Sequence, residues 1–221
     1  HEKEALGFFI SGHPLDRYRD VVQAFEPVSS NTLAEHAGHI VDLPCVVTAV
    51  VRQITRRDNS EWGKITVEDF QGTATVLAFR DVWQEHKDVL QQDAVVLLSG
   101  KVSSRERDEE DPPIFLDSAR PLEELTGSGE LSVQIELDFG SDVTEEAFEK
   151  AKRVLATHPG PSPVLVQVGL GNGVSAPHFR SRSLRVSANI ETLQELRQLF
   201  GHGKVRLVRT TEPTSEFGAG R

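Results

Sequence analysis

The chain has 221 residues, a formal net charge of −10, 38% hydrophobic and 26% charged side chains, the values of an ordinary globular protein with room for one large or two small cores. No apolar run approaches the roughly 18–20 residues that span a bilayer, the opening HEKEALGFF lacks the pattern of a signal peptide, and a lone cysteine, Cys45, excludes an internal disulfide and a cysteine-rich zinc site. These features fit the cytoplasm, and the acidic balance restricts any nucleic-acid surface to a local basic patch, because phosphate-tracking faces are usually basic throughout. Methionine is absent even at position 1, as expected of a piece of a longer or processed chain.

Residues 1–38 read as a helical segment. Leu6, Phe9 and Ile10 recur at helical spacing, Gly12 and Pro14 interrupt it, and Tyr18, Val21, Val22 and Phe25 resume it. From His39 the pattern changes to strands. Ile40–Ile54 is valine-rich, a polar loop follows at 55–61, residues 62–68 form a second strand, and 69–72 turn into a third over Thr73–Phe79. Residues 80–92 have helical spacing, 94–102 are again strand-like, and a very polar loop at 103–113 leads to a last strand at 114–119. Three strands, a helix and two more strands across residues 39–122 predict a five-stranded Greek-key barrel of the OB type, whose ligand face lies on strands 2 and 3 with the loops 1–2 and 4–5.

Pro121, Thr126, Gly127, Ser128 and Gly129 mark a connection, with the linker set at 123–130. A small layered α/β domain of order β-α-β-β-α-β is predicted over 131–209. It opens with the alternating strand Leu131–Asp138 and continues into a helix capped by Ser141 or Asp142, with the capping-box spacing to Glu145. Strands at 163–170 and 182–187 follow, joined by the turn Gly171-Asn172-Gly173. A second helix at 189–200 precedes a last strand at 204–209. The polar, glycine-rich tail 210–221 is expected to be disordered.

The motif Glu2, Glu4, Leu6, Gly7, then Ser11-Gly12-His13-Pro14, resembles the stretch that joins the polymerase core to the OB domain in the α subunit of bacterial DNA polymerase III. The barrel segment continues the likeness with Ile65-Thr-Val-Glu-Asp69, Gly72, Val76, Phe79 and Val96 to Val102, and the final domain is similar to that family's C-terminal domain. The resemblance implies a segment without catalytic residues, cut from a DNA-directed DNA polymerase (a nucleotidyltransferase), with no cofactor and no metal in this part. It also implies three partners: single-stranded template DNA on the OB domain, the τ subunit of the clamp loader on the last domain, and the remainder of the polymerase chain. The alternative is an OB domain that serves only as a spacer, leaving a protein-interaction module.

The residues themselves carry no phosphate loop, zinc spacing or catalytic triad. Gly169 to Gly173 lies between strands and reads as a hairpin turn, His36 and His39 are too isolated to make a metal site, and Asp108 to Asp111 read as a solvated loop tip. His13 is expected to hold the Ser-Gly-His-Pro turn. For single-stranded nucleic acid the candidates are Arg52, Arg56, Arg57, Trp62 and Lys64 around loop 1–2, Phe70 in the next turn, and Lys101, Arg105 and Arg107 at loop 4–5. Cations track phosphates while an exposed ring stacks a base; for Trp62 the second reading, a cap on the barrel core, stays open. Acids in RERDEED at 105–111 oppose phosphate, so binding is expected to be weak and salt-sensitive. Phe179, Arg180, Arg182 and Arg185 are the candidates for a protein partner, since arginine and aromatic side chains favour interfaces. The leucines of the last helix are assigned to the core.

Overall fold

The computed structural model describes residues 12–25, 27–56, 58–104, 111–138, 144–169 and 178–210. It divides the chain into two compact units, residues 1–125 and 126–221. The expected helix at the start, the turn 171–173, the alternative caps Ser141 and Asp142, and all but the first residue of the tail 210–221 fall outside the described residues.

Unit one is a closed barrel of five strands in the order β1-β2-β3-β5-β4. They are β1 (Ile40–Ile54), β2 (Glu61–Glu68), β3 (Thr73–Phe79), β4 (Val95–Val102) and β5 (Ile114–Pro121). β1 is long enough to serve two neighbours: its first half pairs with β4 and its second half with β2, the register to β2 slipping between Val47 and Ala49. Such a bulge bends a strand and increases its twist, as barrel closure needs. The seam is completed by a short parallel pairing of β3 with β5 at Val76–Ile114 and Leu77–Phe115.

Strands β2 and β3 alternate as a half-buried sheet should. In β2, Gly63, Ile65 and Val67 point inward, and in β3 Ala74, Val76 and Ala78 do so. Ile65, Val67 and the three β3 residues join Leu43, Cys45, Val96, Leu98 and Ile114 in one core. Burial pushes the Cys45 thiol well above its ordinary value, with the Asp69 charge adding to the effect, so this cysteine stays protonated and is no nucleophile.

Each end of the barrel has its own plug. A 3-10 turn at Ser30–His36 buries Leu33 at one end. At the other, helix α2 (Arg80–His86) inserts Trp83, which is 0% exposed. That helix is shorter than the predicted 80–92: beyond His86 the chain turns, with the Val89 and Leu90 amides both donating to the His86 carbonyl. Before the barrel lie the 3-10 turn Pro14–Tyr18 and helix α1 (Arg19–Ala24). His13 caps that 3-10 turn: its Nδ1 accepts from the Leu15 amide at 3.1 Å while its own amide donates to Asp16 Oδ2 at 2.9 Å.

The boundary between the units falls inside the expected linker 123–130, but that stretch is not the plain connection its composition suggests. A 3-10 turn at Leu122–Glu124 and a short helix α3 (Leu125–Ser128) occupy it. Leu122 and Leu125 are both fully buried, and burying two leucines outweighs the weak turn propensity of Thr-Gly-Ser.

Unit two has a four-stranded sheet in the order β8-β7-β6-β9, from β6 (Leu131–Asp138), β7 (Pro159–Gly169), β8 (His178–Val186) and β9 (Val205–Arg209). β6 runs parallel to β7 and antiparallel to β9, and β7 antiparallel to β8. Helices α4 (Glu145–Thr157) and α5 (Ile190–Phe200) cover one face: Phe148, Ala151 and Leu155 of α4, Phe200 of α5, and Ile135, Leu137, Val164 and Val166 of the sheet line one apolar groove. The cap of α4 is Thr144, whose hydroxyl accepts from the Ala147 amide at 3.2 Å, two residues beyond the later of the two predicted caps. β7 and β8 begin at Pro159 and His178, four residues earlier than expected in each case. Of the leucines of α5 assigned to the core, Leu193 and Leu196 are buried, at 1% and 0% exposure, whereas Leu199, in the last turn of the helix, is 37% exposed.

Candidate nucleic-acid interface

The outer side of β2 and β3 carries what the inner side cannot. Trp62 pairs with Phe79 across the hairpin, Lys64 with Leu77, Thr66 with Thr75 and Glu68 with Thr73, all facing away from the core. The Trp62 and Phe79 rings stack at 5.4 Å between centroids, 30° apart. Phe79 meets Phe115 of β5 at 6.2 Å and 37°. Phe79 and Phe115 remain 41% and 37% exposed. Three rings thus run across three strands in a ladder on the solvent side. A contiguous exposed apolar patch of this kind is more informative than a scattered surface leucine.

Cations flank the ladder. Lys64 lies beside it on β2, between Val51 and Leu77 in the register. Lys101 faces Phe115 across β4 and β5, and both lysines are exposed. Loop 1–2 rises at the Trp62 end and carries Arg56. Asp58 organises it, accepting from the Thr55 hydroxyl, from Ser60 Oγ at 2.7 Å and from the Ser60 amide at 3.2 Å. Those bonds, from Thr55 first and Ser60 next, lower the Asp58 carboxyl to about 2, with a smaller contribution from the charge of Arg80. Arg80 Nη2 meets Asp58 Oδ2 at 3.1 Å.

Several predicted residues stand elsewhere. Arg52 pairs with Gly63, so strand alternation sets it on the side opposite Trp62 and Lys64, with its guanidinium 6.0 Å from the Trp83 ring. Phe70 is eight residues from Trp62 along the hairpin, about 26 Å at the rise of an extended strand. Its ring packs against His13 at 5.1 Å and under the Arg19 guanidinium at 4.6 Å, where it anchors the segment before the barrel. Trp62 is half-buried on the outer face; the core cap is Trp83. Arg57, Arg105 and Arg107 lie outside the described residues.

Phe79 and Phe115 are not among the ring candidates that the sequence suggests. A signal for the first is present: a hairpin centred on Phe70 and Gln71 pairs position 62 with 79, so an outward Trp62 implies an outward Phe79. No local signal reaches Phe115, because its approach depends on the non-local β3–β5 seam.

In unit two, Phe179 and Arg180 face opposite sides of the sheet. Phe179 is in register with Val166 on the helix side, and Arg180 with Leu165 on the open side. Gln134 and Arg206 continue the row of Arg180, and the Gln134 amide donates to Gln167 Oε1 at 2.6 Å. Arg185 donates to the Pro161 carbonyl at 2.7 Å, and Arg182 is part of β8. Phe179 and Arg180 therefore do not share one face of the sheet. Among the described residues no group of three or more His, Cys, Asp or Glu is placed to hold a metal ion. No helix among them is long and apolar enough to cross a membrane.

A closed five-stranded barrel with an aromatic outer face on strands 2 and 3 defines the class. Residues 45–136 match the family model described as an OB-fold nucleic acid binding domain, of the tRNA anticodon type, and the barrel of unit one has the OB fold. Over nearly its whole length the chain is similar to the α subunit of bacterial DNA polymerase III. It is 28% identical over 220 residues to that protein from Vibrio cholerae, covering 93% of this chain and 18% of the relative. With the Halalkalibacterium halodurans protein it shares 26% over 216 residues, 97% of this chain and 18% of the relative. A 103-residue stretch is 30% identical to the Borreliella burgdorferi protein, 46% of this chain and 9% of the relative. The chain thus spans less than a fifth of the length of these relatives.

Proposed function

We propose that this chain is a non-catalytic module of a replicative polymerase α subunit, in which the barrel binds single-stranded template DNA. The observation that carries the reading is the ladder Trp62–Phe79–Phe115 between Lys64 and Lys101. Base-on-ring stacking is worth about 1–3 kcal/mol per base and tolerates any sequence, which suits a template of arbitrary sequence. The lysines supply phosphate attraction beside the rings on a chain of net charge −10. Weak binding suffices in a tethered module, because tethering raises the local strand concentration.

The test is anisotropy of a labelled thymidine oligonucleotide against the full chain and against Trp62→Ala, Phe79→Ala and Phe115→Ala. Each truncation is expected to weaken binding by about 1 kcal/mol or more while leaving the melting temperature nearly unchanged, since the rings face outward. Wild-type affinity in all three variants sinks the reading and leaves the barrel as a spacer.

The second unit is assigned to protein contact, with the τ subunit of the clamp loader as partner. What supports this is the likeness to α subunits across both units, together with exposed Phe179 and Arg180 on strand β8. Co-purification of τ with the full chain, lost on Phe179→Ala or Arg180→Ala, is the expected result. Undiminished capture by both variants removes these two residues from the contact, and no capture by the wild-type chain removes the partner.

A further inference from the structure

The ion pair at the Trp62 end of the ladder is unusual in three ways. Arg80 follows Phe79, a ring of the ladder, directly in sequence. Its backbone has φ of 47°, a left-handed conformation that a non-glycine residue adopts at a cost and that often marks a functional position. Its guanidinium is spent on Asp58 of loop 1–2, although both side chains are well exposed, at 70% and 40%.

The two partners are not held equally. Asp58 keeps its place through Thr55 and Ser60, which donate three hydrogen bonds to the carboxylate. Arg80 is held among the described residues by Asp58. An exposed pair of this kind is worth only about 0–1 kcal/mol. A guanidinium meets a phosphate with two parallel N–H donors, a stronger arrangement than the single contact seen here.

We propose that Arg80 is a phosphate ligand held in reserve: the Asp58–Arg80 pair is a latch, which the backbone phosphate of a single strand crossing the ladder opens by taking the guanidinium from the carboxylate. The inference rests on the reading of the ladder as a single-strand platform. Asp58 then sets affinity from outside the contact, by competing with the phosphate for one cation.

The test is a double-mutant cycle on the full chain, with a fluorescein-labelled thymidine oligonucleotide at low salt. Asp58→Asn keeps an oxygen for Thr55 and Ser60 and removes the charge. It is expected to tighten binding about two- to fivefold, the range an exposed ion pair supplies. Arg80→Gln weakens binding by a similar factor, and in that background Asp58→Asn adds nothing. Glu61→Gln is the control: its carboxylate sits in the same cleft and accepts from Gln84 at 3.3 Å, so its effect is the same in the wild-type chain as in the Arg80→Gln background.

A gain from Asp58→Asn that persists in the Arg80→Gln background reduces the effect to plain repulsion and overturns the latch. No gain, or a loss, overturns it as well. A second measurement is independent of the loop's tolerance for substitution. The side-chain nitrogen resonance of Arg80 in the wild-type chain moves as oligonucleotide is added, and an unmoved resonance at saturation overturns the proposal. Failure of the platform itself shows differently, as unchanged affinity in the three ladder truncations. If neither the wild type nor Asp58→Asn binds, both readings fall together.

Discussion

Trp83 occupies the space that a side chain on Gly63 would need. A Cβ built on Gly63 would lie 2.4 Å from the Trp83 ring and 3.2 Å from Ile65 Cδ1, so the absence of a side chain in β2 lets α2 plug the barrel. The two positions are therefore one packing unit. Gly63→Ala is expected to destabilise unit one by about 1–3 kcal/mol, the usual cost of overpacking a filled core. Trp83→Ala, which leaves a cavity, is expected to cost about 3–5 kcal/mol. Urea unfolding followed by circular dichroism measures both. If the pair is one unit, the double variant loses less than the sum of the single losses.

The strands of the barrel are legible in the sequence because β2 and β3 alternate and β1 and β4 are runs of apolar, valine-rich residues. Which face a residue takes is harder to read. Arg52 and Trp62 both flank loop 1–2, yet parity along β1 sets Arg52 with Gly63 on the opposite side. Phe70 suits the site only in residue type; a strand's length separates it from Trp62. The stretch 123–130 misleads for another reason: the burial of Leu122 and Leu125 around its start is a tertiary fact that turn-forming neighbours outvote in any local reading. The Phe115 contact depends on a seam between strands far apart in sequence, and nothing local encodes that.

Asp69 is the second organising carboxylate of the barrel. It accepts from the Ser30 amide and hydroxyl, both at 2.7 Å, and from the Gln71 and Gly72 amides at 2.8 and 2.9 Å. One side chain thus shapes the β2–β3 turn and ties it to the 3-10 turn that plugs the barrel. A Cβ on Gly72 would lie 3.1 Å from Ser30 Oγ, so the turn approaches as closely as glycine allows. Asp69→Asn places an amide donor against one of these donors and is expected to cost about 2–3 kcal/mol, in the range of buried bonds to a charged acceptor. Thermal melting measures the loss, and amide exchange at Ser30, Gln71 and Gly72 reports whether it is local to this turn. A melting temperature unchanged in Asp69→Asn contradicts the assignment.

Asp58 predicts a pH response in loop 1–2. Its carboxyl is lowered in the folded chain from an ordinary 3.8 to about 2, chiefly by the Thr55 and Ser60 hydrogen bonds. A lowered carboxyl stabilises the form that holds it when ionised, so its contribution is complete above about pH 5 and disappears as pH falls through about 2. Between about pH 5 and 2 the Ser60 amide is expected to lose protection progressively, while core amides of β2 such as Ile65 do so only with global unfolding. Asp58→Asn should flatten the Ser60 response over the same interval. A Ser60 resonance that titrates at an unshifted carboxylate value contradicts the loop geometry.

Salt should separate the two contributions to strand binding on the outer face. Stacking on Trp62, Phe79 and Phe115 has no strong ionic-strength dependence, whereas each phosphate neutralised on a single strand adds about −0.7 to the slope of log K against log salt. If Lys64 and Lys101 each take one phosphate beside the ladder, Lys64→Gln and Lys101→Gln each reduce the magnitude of the slope by about 0.7. The Phe115→Ala variant is expected to lower affinity at every salt concentration without changing the slope. Arg52→Gln, placed on the opposite side of β1 over Trp83, should leave slope and affinity near wild type. A slope that falls with Arg52→Gln but not with Lys64→Gln places the phosphate path around the α2 end of the barrel instead of across the ladder.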